Sequence, residues 1–241
     1  MVWDNANFLT RFLRGQPADV EPPRLPTLEY VGNPQVAEWL RLSMTSFAES
    51  VASILPGQFA AYARIYHPFE FHGSDLIQVS SWRALSNAAG VHLSDPAAAV
   101  DFAYRGVEGS QAEVGRLPTV LIGPLVEHLR QVTTTPDRCF FAVWEGHVGL
   151  AVPPALEPTL ELPHRRYHIF QGPIDGSHTS FSAIDLGHLS ANLWWPADQA
   201  WCVATEIDFA WTYVGGPRST IDALLKDARL EAVETTAAAR W

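Results

Sequence analysis

The chain has 241 residues, of which 47% are hydrophobic and 17% are charged, so it can bury a sizeable core and is not disordered as a whole. Its formal net charge of −10 argues against binding to nucleic acid or to an anionic membrane surface, since both need clustered Lys and Arg. The N-terminal residues lack the pattern of a signal peptide, and no apolar run is long enough to span a membrane. These features predict a soluble cytoplasmic protein.

The first part of the chain has the composition of an arm. Apolar residues at near-helical spacing over residues 2–14 predict an amphipathic helix that is too short to be stable alone. Residues 16–27 contain four prolines and predict an extended, polyproline-like segment. We therefore divide the chain into an arm, residues 1–27, and a single α+β domain, residues 28–241. The short helix packs either on its own domain or on a second copy, and the second case predicts a homodimer.

Three segments have the apolar spacing of core helices. Asn33 and Pro34 are typical of a helix start, because the first caps the free backbone N–H groups and the second fits the first helical turn. Apolar residues then recur at intervals of three and four over residues 34–55. The same periodicity predicts helices over residues 118–132 and 217–227.

Four further runs predict strands, near residues 60–68, 138–145, 165–171 and 200–209. The run at 138–145 is almost continuously apolar, as expected of a strand that is covered on both faces. Strands and helices follow one another without a regular βαβ alternation. This order favours the α+β class, with a mixed or antiparallel sheet.

Tryptophan is concentrated in residues 192–216, which we predict to contain the central strand of the sheet. Adjacent exposed tryptophans can form a platform for sugars, bases or proline-rich peptides. On a strand, however, neighbouring side chains point to opposite faces, so that Trp194 or Trp195, or both, would lie in the core. The candidate binding residues are Trp194, Trp195, Trp144 and Glu145.

Two carboxylates and two basic side chains form the candidate catalytic set. Glu206 and Asp208 lie two residues apart on the predicted strand, so both point to one face, and such a pair can divide acid and base roles. Arg166 and His168 share a face of their own strand for the same reason. If the two strands are neighbours, Glu206 meets Arg166 or His168. The group would then be either a catalytic site or an ion cluster with a structural role.

Motifs for cofactors and nucleophiles are absent from the sequence. It contains no HExxH, CxxC, GxGxxG or GxSxG pattern. Cys139 and Cys202 both lie within apolar runs, which predicts buried and unreactive thiols. We therefore predict neither a metal nor another cofactor.

Residues 136–147, 162–174 and 192–216 together resemble a family of uncharacterised actinobacterial proteins. The segments read PDRCFFAVWEGH, LPHRRYHIFQGPI and NLWWPADQAWCVATEIDFAWTYVGG. The resemblance covers most of the chain from about residue 60 onward, although Gln199 and His147 stand where Arg and Gly are expected. It implies one ordered domain and no particular activity.

Two functions are consistent with these observations. The first is a non-enzymatic domain that binds a protein partner or a small ligand. One version of it, by analogy of class only, is a protein that neutralises a basic partner, as the immunity proteins of toxin systems do. The alternative is a hydrolase-type enzyme with an acidic, His and Arg pocket around the candidate catalytic set. Convergence of its four groups, Glu206, Asp208, His168 and Arg166, in an open concave site would favour the enzyme. A Glu206 that is sealed against an arginine would favour the binding domain.

Overall fold

The computed structural model describes residues 28–44, 50–71, 78–89, 102, 110–153, 155–162, 165–184 and 187–240. The helix and proline-rich arm predicted over residues 1–27, and the homodimer contact predicted for them, lie outside the described residues.

Contacts divide the chain into two compact units, Met1–Arg24 with Pro68–Glu113 and Leu25–His67 with Val114–Trp241. In the first unit, the described residues form a small antiparallel sheet and a helix around three aromatic side chains. The ring centroids of Phe69, Trp82 and Phe102 lie between 5.2 and 5.8 Å apart. A single domain over residues 28–241 stays a prediction.

The described residues form twelve strands, and every described strand pairing is antiparallel. The small sheet has the order β4-β3-β5, and the large sheet of the second unit has the order β1-β8-β6-β9-β10-β11-β2-β12, with β7 also on β8. In chain order the strands are β1 Glu29–Tyr30, β2 Ala61–Tyr66, β3 Phe69–Phe71, β4 Gln78–Ser80, β5 Ser110–Ala112, β6 Cys139–Trp144, β7 Leu160–Leu162, β8 Arg165–Gly172, β9 Leu193–Pro196, β10 Cys202–Thr205, β11 Trp211–Gly216 and β12 Ala232–Thr235.

The α+β class and the antiparallel sheet predicted from the sequence are confirmed. All four predicted strands are present, as β2, β6, β8 and β10, and β10 lies in the middle of the large sheet. The last of them is shorter than predicted. It ends at Thr205, and a turn follows in which the Phe209 N–H donates to the Glu206 carbonyl at 3.1 Å. Glu206 and Asp208 therefore lie on a turn and not on a strand.

Four α-helices and three short 3-10 helices are present among the described residues. The helices predicted near 118–132 and 217–227 are confirmed. The helical segment predicted near 34–55 is interrupted, because the backbone is extended at Met44 and again at Ser50. The Ser43 hydroxyl donates to the Trp39 carbonyl just before this break and competes there with the helical backbone. The helices are α1 Glu38–Ser43, α2 Trp82–Ala89, α3 Thr119–Arg130 and α4 Arg218–Lys226, with 3-10 turns at Pro34–Ala37, Val51–Ser53 and Ile174–His178.

The two faces of the large sheet bury different sets of side chains. Residues that are opposite one another in an antiparallel ladder share a face, so the register assigns each side chain to a face. Phe141, Trp194 and Val203 pack on one face with residues of α3 and α4. On the other face, the Trp195 ring stacks on Phe140 and meets the edge of Trp39 from α1. The large sheet is thus covered on both faces.

Candidate functional site

The structure places Glu206 in an ion pair with Arg165. The two side chains are only 13% and 15% exposed, and the Arg165 guanidinium donates to the Glu206 carboxylate. Asp208 is 66% exposed, with its carboxylate 3.6 Å from the same guanidinium. Burial raises the pKa of Glu206, although Arg165 opposes the shift. The prediction that Glu206 meets Arg166 or His168 is wrong.

Arg166 and His168 lie on the opposite face of the sheet from Arg165. His168 is opposite Val143 in the β6–β8 ladder, on the face that α3 covers, whereas Arg165 and Tyr167 point to the other face. The strands that pair with β8 are β1, β6 and β7, and β10 is not among them. Arg166 instead donates to Glu145 at 2.7 Å, in a pair whose side chains are 53% and 31% exposed. The four predicted catalytic residues therefore do not form one site.

A small cavity lies beside the buried ion pair. Its volume is about 30 Å³, and polar groups of Arg165, Tyr167, Asn192 and Glu206 are among its lining. Burial, with a further contribution from the Glu206 charge, raises the pKa of the Tyr167 hydroxyl. A space of this size suits a water molecule and is too small for a substrate.

Trp194 and Trp195 are both buried, with exposed fractions of 1% and 0%. They lie on β9, and the alternation of a strand sends one ring to each covered face of the sheet. Trp194 meets Trp201 edge to face at 5.2 Å, whereas Trp195 stacks on Phe140 at 5.7 Å. Neither tryptophan offers a platform to a ligand.

A larger cleft of about 300 Å³ opens at the end of the large sheet, and this is the candidate functional site. One wall is the segment 114–116, which is held against the turn after β10 because the Gly115 N–H donates to the Phe209 carbonyl at 2.9 Å. Gly115 has a φ of +76°, and a Cβ there would lie 2.4 Å from the Ile207 carbonyl oxygen, so only glycine allows this approach. The cleft is lined by Val114, Gly115, Arg116, Trp144, Gly146, His147, Val148, Ser182, Leu189 and Ile207.

Trp144, one of the predicted binding residues, lies at the C-terminal end of β6 and lines this cleft. Its indole ring folds over Gly146, where a Cβ would lie only 2.2 Å from the ring. The Arg165 guanidinium lies 5.4 Å from the centre of the same ring, which links the cleft to the buried ion pair. Trp144 thus has a fixed position with part of its surface accessible.

His147 lies in the turn after β6 and is held by Asn192. The Asn192 side-chain N–H donates to the Thr205 carbonyl at 3.3 Å. The Asn192 side-chain oxygen therefore faces the backbone N–H of Trp144 at 2.9 Å and His147 Nε2 at 3.0 Å. An amide oxygen can only accept, and His147 must therefore donate from Nε2. Burial lowers the pKa of His147, and the charges of Arg116 and Arg165 add to the shift. The imidazole is neutral at pH 7, with its proton on Nε2.

Two arginines act on the cleft residue His147, although the protein is acidic overall. Arg116 lines the cleft, and both charged groups that shift the pKa of His147 are arginines. Arg116 also acts on His188, whose pKa is lowered mainly by burial. Arg165 is already paired with Glu206, which leaves Arg116 as the cleft residue that could bind an anion.

Sequence reasoning identified Trp144 as a binding candidate but missed Arg116 and His147. Arg116 lies in a polar segment without any motif, and His147 has no metal-ligand spacing to another histidine. The two residues are 31 positions apart and meet only through the fold, as 147 minus 116 shows. The one local signal is the pair of glycines, Gly146 and Gly149, which predicts a tight turn beside His147.

The remaining chemistry-bearing groups of the described residues give no second site. Burial raises the pKa of the Cys139 thiol to about 12 and also raises that of Cys202, so both cysteines stay protonated. In the described ranges, His, Cys, Asp and Glu side chains form no group of three or more that can hold a metal ion. No described helix is both long enough and apolar enough to cross a membrane.

Comparisons of the chain with protein-family models, with curated proteins and with solved structures give no match. The resemblance to the actinobacterial family stays a prediction. A functional assignment therefore depends on the geometry of the cleft.

Proposed function

We propose that the protein is a non-enzymatic binding domain, and that the cleft at the end of the large sheet binds a small anion with a flat apolar part. The observation that carries this proposal is that a basic residue, Arg116, and a partly accessible aromatic residue, Trp144, line one cavity. A volume of about 300 Å³ lies at the lower end of the range for small-molecule sites.

The preference for an anion follows from charge. Guanidinium groups form charge-assisted hydrogen bonds with carboxylates and phosphates, and such bonds are stronger than those between neutral groups. Two arginines, Arg116 and Arg165, act on the cleft residue His147, and no carboxylate is among the charges that shift its pKa. Because Arg165 already pairs with Glu206, Arg116 is the group that would bind the anionic part of the ligand.

The preference for a flat apolar group follows from the lining. Trp144 supplies an aromatic ring, and four aliphatic side chains complete the apolar part of the lining. Val148, at the rim, is 80% exposed and can be covered by a bound ligand. Burial of apolar surface supplies binding energy, and the polar groups fix the orientation. The aliphatic lining residues are Val114, Val148, Leu189 and Ile207.

Binding is favoured over hydrolysis because the predicted catalytic residues lie elsewhere. Glu206 is sealed against Arg165, whereas Arg166 and His168 lie on the other face of the sheet. A small ligand fits the cavity better than a protein partner does, since a stable protein interface needs about 800 Å² on each side. A cytoplasmic location belongs to the same proposal, and two buried free cysteines fit a reducing compartment.

The test is calorimetric titration of the protein with benzoate, acetate and inorganic phosphate. We expect benzoate to bind with a Kd of about 1 mM or below, the affinity of an efficient fragment-sized ligand, and more tightly than the other two. Arg116→Gln should weaken the binding of benzoate about tenfold or more, because it removes a charge-assisted hydrogen bond. Arg218→Gln is the matched control, since Arg218 pairs with Glu234 on an exposed surface outside the cleft. Absence of benzoate binding, or equal losses in the two variants, would overturn the proposal.

A further inference from the structure

We propose that His147 Nδ1 accepts a hydrogen bond from the bound ligand, so that the cleft selects anions that also carry a hydroxyl or amide N–H donor. This inference rests on the proposed function and narrows its ligand class. It is carried by the hydrogen bonds that hold the imidazole on Asn192.

The side-chain amide of Asn192 has a fixed orientation. Its amide nitrogen donates to the Thr205 carbonyl, and its amide oxygen accepts from the backbone N–H of Trp144. The amide group cannot rotate by 180° without losing both hydrogen bonds. Asn192 is itself 3% exposed, so turning the amide would leave buried polar groups without their partners. The oxygen that faces His147 Nε2 is thus an acceptor in every arrangement that keeps the backbone contacts.

The orientation of Asn192 also determines the protonation of the second ring nitrogen of His147, Nδ1. A neutral imidazole with its proton on Nε2 has a lone pair on Nδ1, and this atom can only accept. Nδ1 makes no hydrogen bond to any described residue and is not among the buried polar atoms that lack one, so solvent reaches it. The ring lines the cleft, and the cleft therefore contains an accessible acceptor.

His147 lies in the same cleft as Trp144 and Arg116. The His147 ring meets the Trp144 ring edge to face, with centroids 5.3 Å apart, and Arg116 lines the same cavity. A ligand that lies on the indole can present its anionic group to the guanidinium and a second polar group to the imidazole. A ligand without a donor would displace water from Nδ1 and leave the lone pair unsatisfied, which lowers its affinity.

The experiment compares benzoate, the three monohydroxybenzoates and their methyl ethers by calorimetric titration at pH 7.5. We expect at least one hydroxybenzoate to bind about fivefold or more tightly than benzoate, the factor that one neutral hydrogen bond provides. Its methyl ether, which keeps the oxygen but lacks the donor, should bind no better than benzoate. In His147→Phe, which keeps a ring but removes the acceptor, the hydroxybenzoate should bind no more tightly than its methyl ether.

The outcomes separate this inference from the proposed function. If benzoate binds and no hydroxyl improves the affinity, or if the methyl ether gains as much as the hydroxyl compound, the role of His147 is wrong and the anion site stands. If no compound of the series binds, the proposed function and the inference both fail. The comparison of hydroxyl and methoxy ligands uses the unaltered protein, so it decides the matter even if His147→Phe does not fold.

Discussion

Arg165 and Arg166 are adjacent in the sequence, but the structure predicts very different costs for losing them. Arg165→Met would leave the Glu206 carboxylate, which is 13% exposed, without its partner, and breaking a buried ion pair in this way costs about 3–5 kcal/mol. Arg166→Met removes a pair whose side chains are 53% and 31% exposed, and such a pair contributes about 0–1 kcal/mol. The same substitution at neighbouring positions thus isolates the effect of the face to which each side chain points.

The assay is equilibrium unfolding in urea, followed by circular dichroism and by tryptophan fluorescence so that any separate transition of the two units is visible. A double variant, Arg165→Met with Glu206→Gln, removes both charges and should recover part of the lost stability, because no uncompensated carboxylate remains buried. Equal costs for Arg165→Met and Arg166→Met would refute the reasoning. A double variant that is less stable than Arg165→Met alone would refute it as well.

Three further predictions concern the core, the cleft and the histidines. Trp201→Ala should cost about 3–5 kcal/mol in urea titration, because the ring is 0% exposed and its Nε1–H donates to the Leu129 carbonyl at 3.0 Å; a cost below about 1 kcal/mol would contradict its central place. Gly146→Ala should displace the Trp144 indole and weaken the calorimetric binding of benzoate several-fold, whereas unchanged affinity would show that the ring position is not needed. The free energy of unfolding should fall as the pH is lowered from 7.5 to 5.5. The histidines of the unfolded chain take up protons below about pH 6.5, whereas the buried histidines of the folded chain have lowered pKa values and stay neutral to a lower pH. A urea midpoint that rises over this pH range would contradict the lowered pKa values. The histidines whose pKa burial lowers are His147, His168, His178 and His188.

Local sequence patterns predicted the elements that depend on nearby residues. The helix start at Asn33 is confirmed, since its side chain accepts from the Gln35 N–H at 3.0 Å. The apolar run that forms β6 is covered on both faces, as its lack of alternation indicated. These features depend on periodicity and capping within a few residues, and a single sequence contains that information.

The pairing of Glu206 was not predictable in the same way. Alternation correctly placed Arg166 and His168 together on one face of β8, but it does not tell which strand lies beside β8 or which face Glu206 reaches. The early end of β10 moved Glu206 onto a turn, and from there it reaches Arg165 on the opposite face. Strand order and the ends of strands depend on contacts between distant residues, which local patterns do not record.

The cleft could not be found from the sequence for the same reason. Trp144 was among the predicted binding residues, but Arg116 and His147 have no distinguishing neighbours. Asn192, which sets the tautomer of His147, is 45 positions away from it along the chain. Arg116, His147 and Asn192 therefore become recognisable as parts of one site only when the fold brings them together.

The most direct test of the binding site is an NMR titration that observes the indole N–H signals of the tryptophans while benzoate is added, with the Trp144 signal assigned from a Trp144→Phe variant. We predict that the Trp144 signal shifts in a saturable way and that the signals of the buried Trp194, Trp195 and Trp201 stay in place. In Arg116→Gln, the same shift should need about tenfold more benzoate or beyond. A Trp144 signal that does not move, or one that moves equally in Arg116→Gln, would contradict the assignment of this cleft as an anion-binding site.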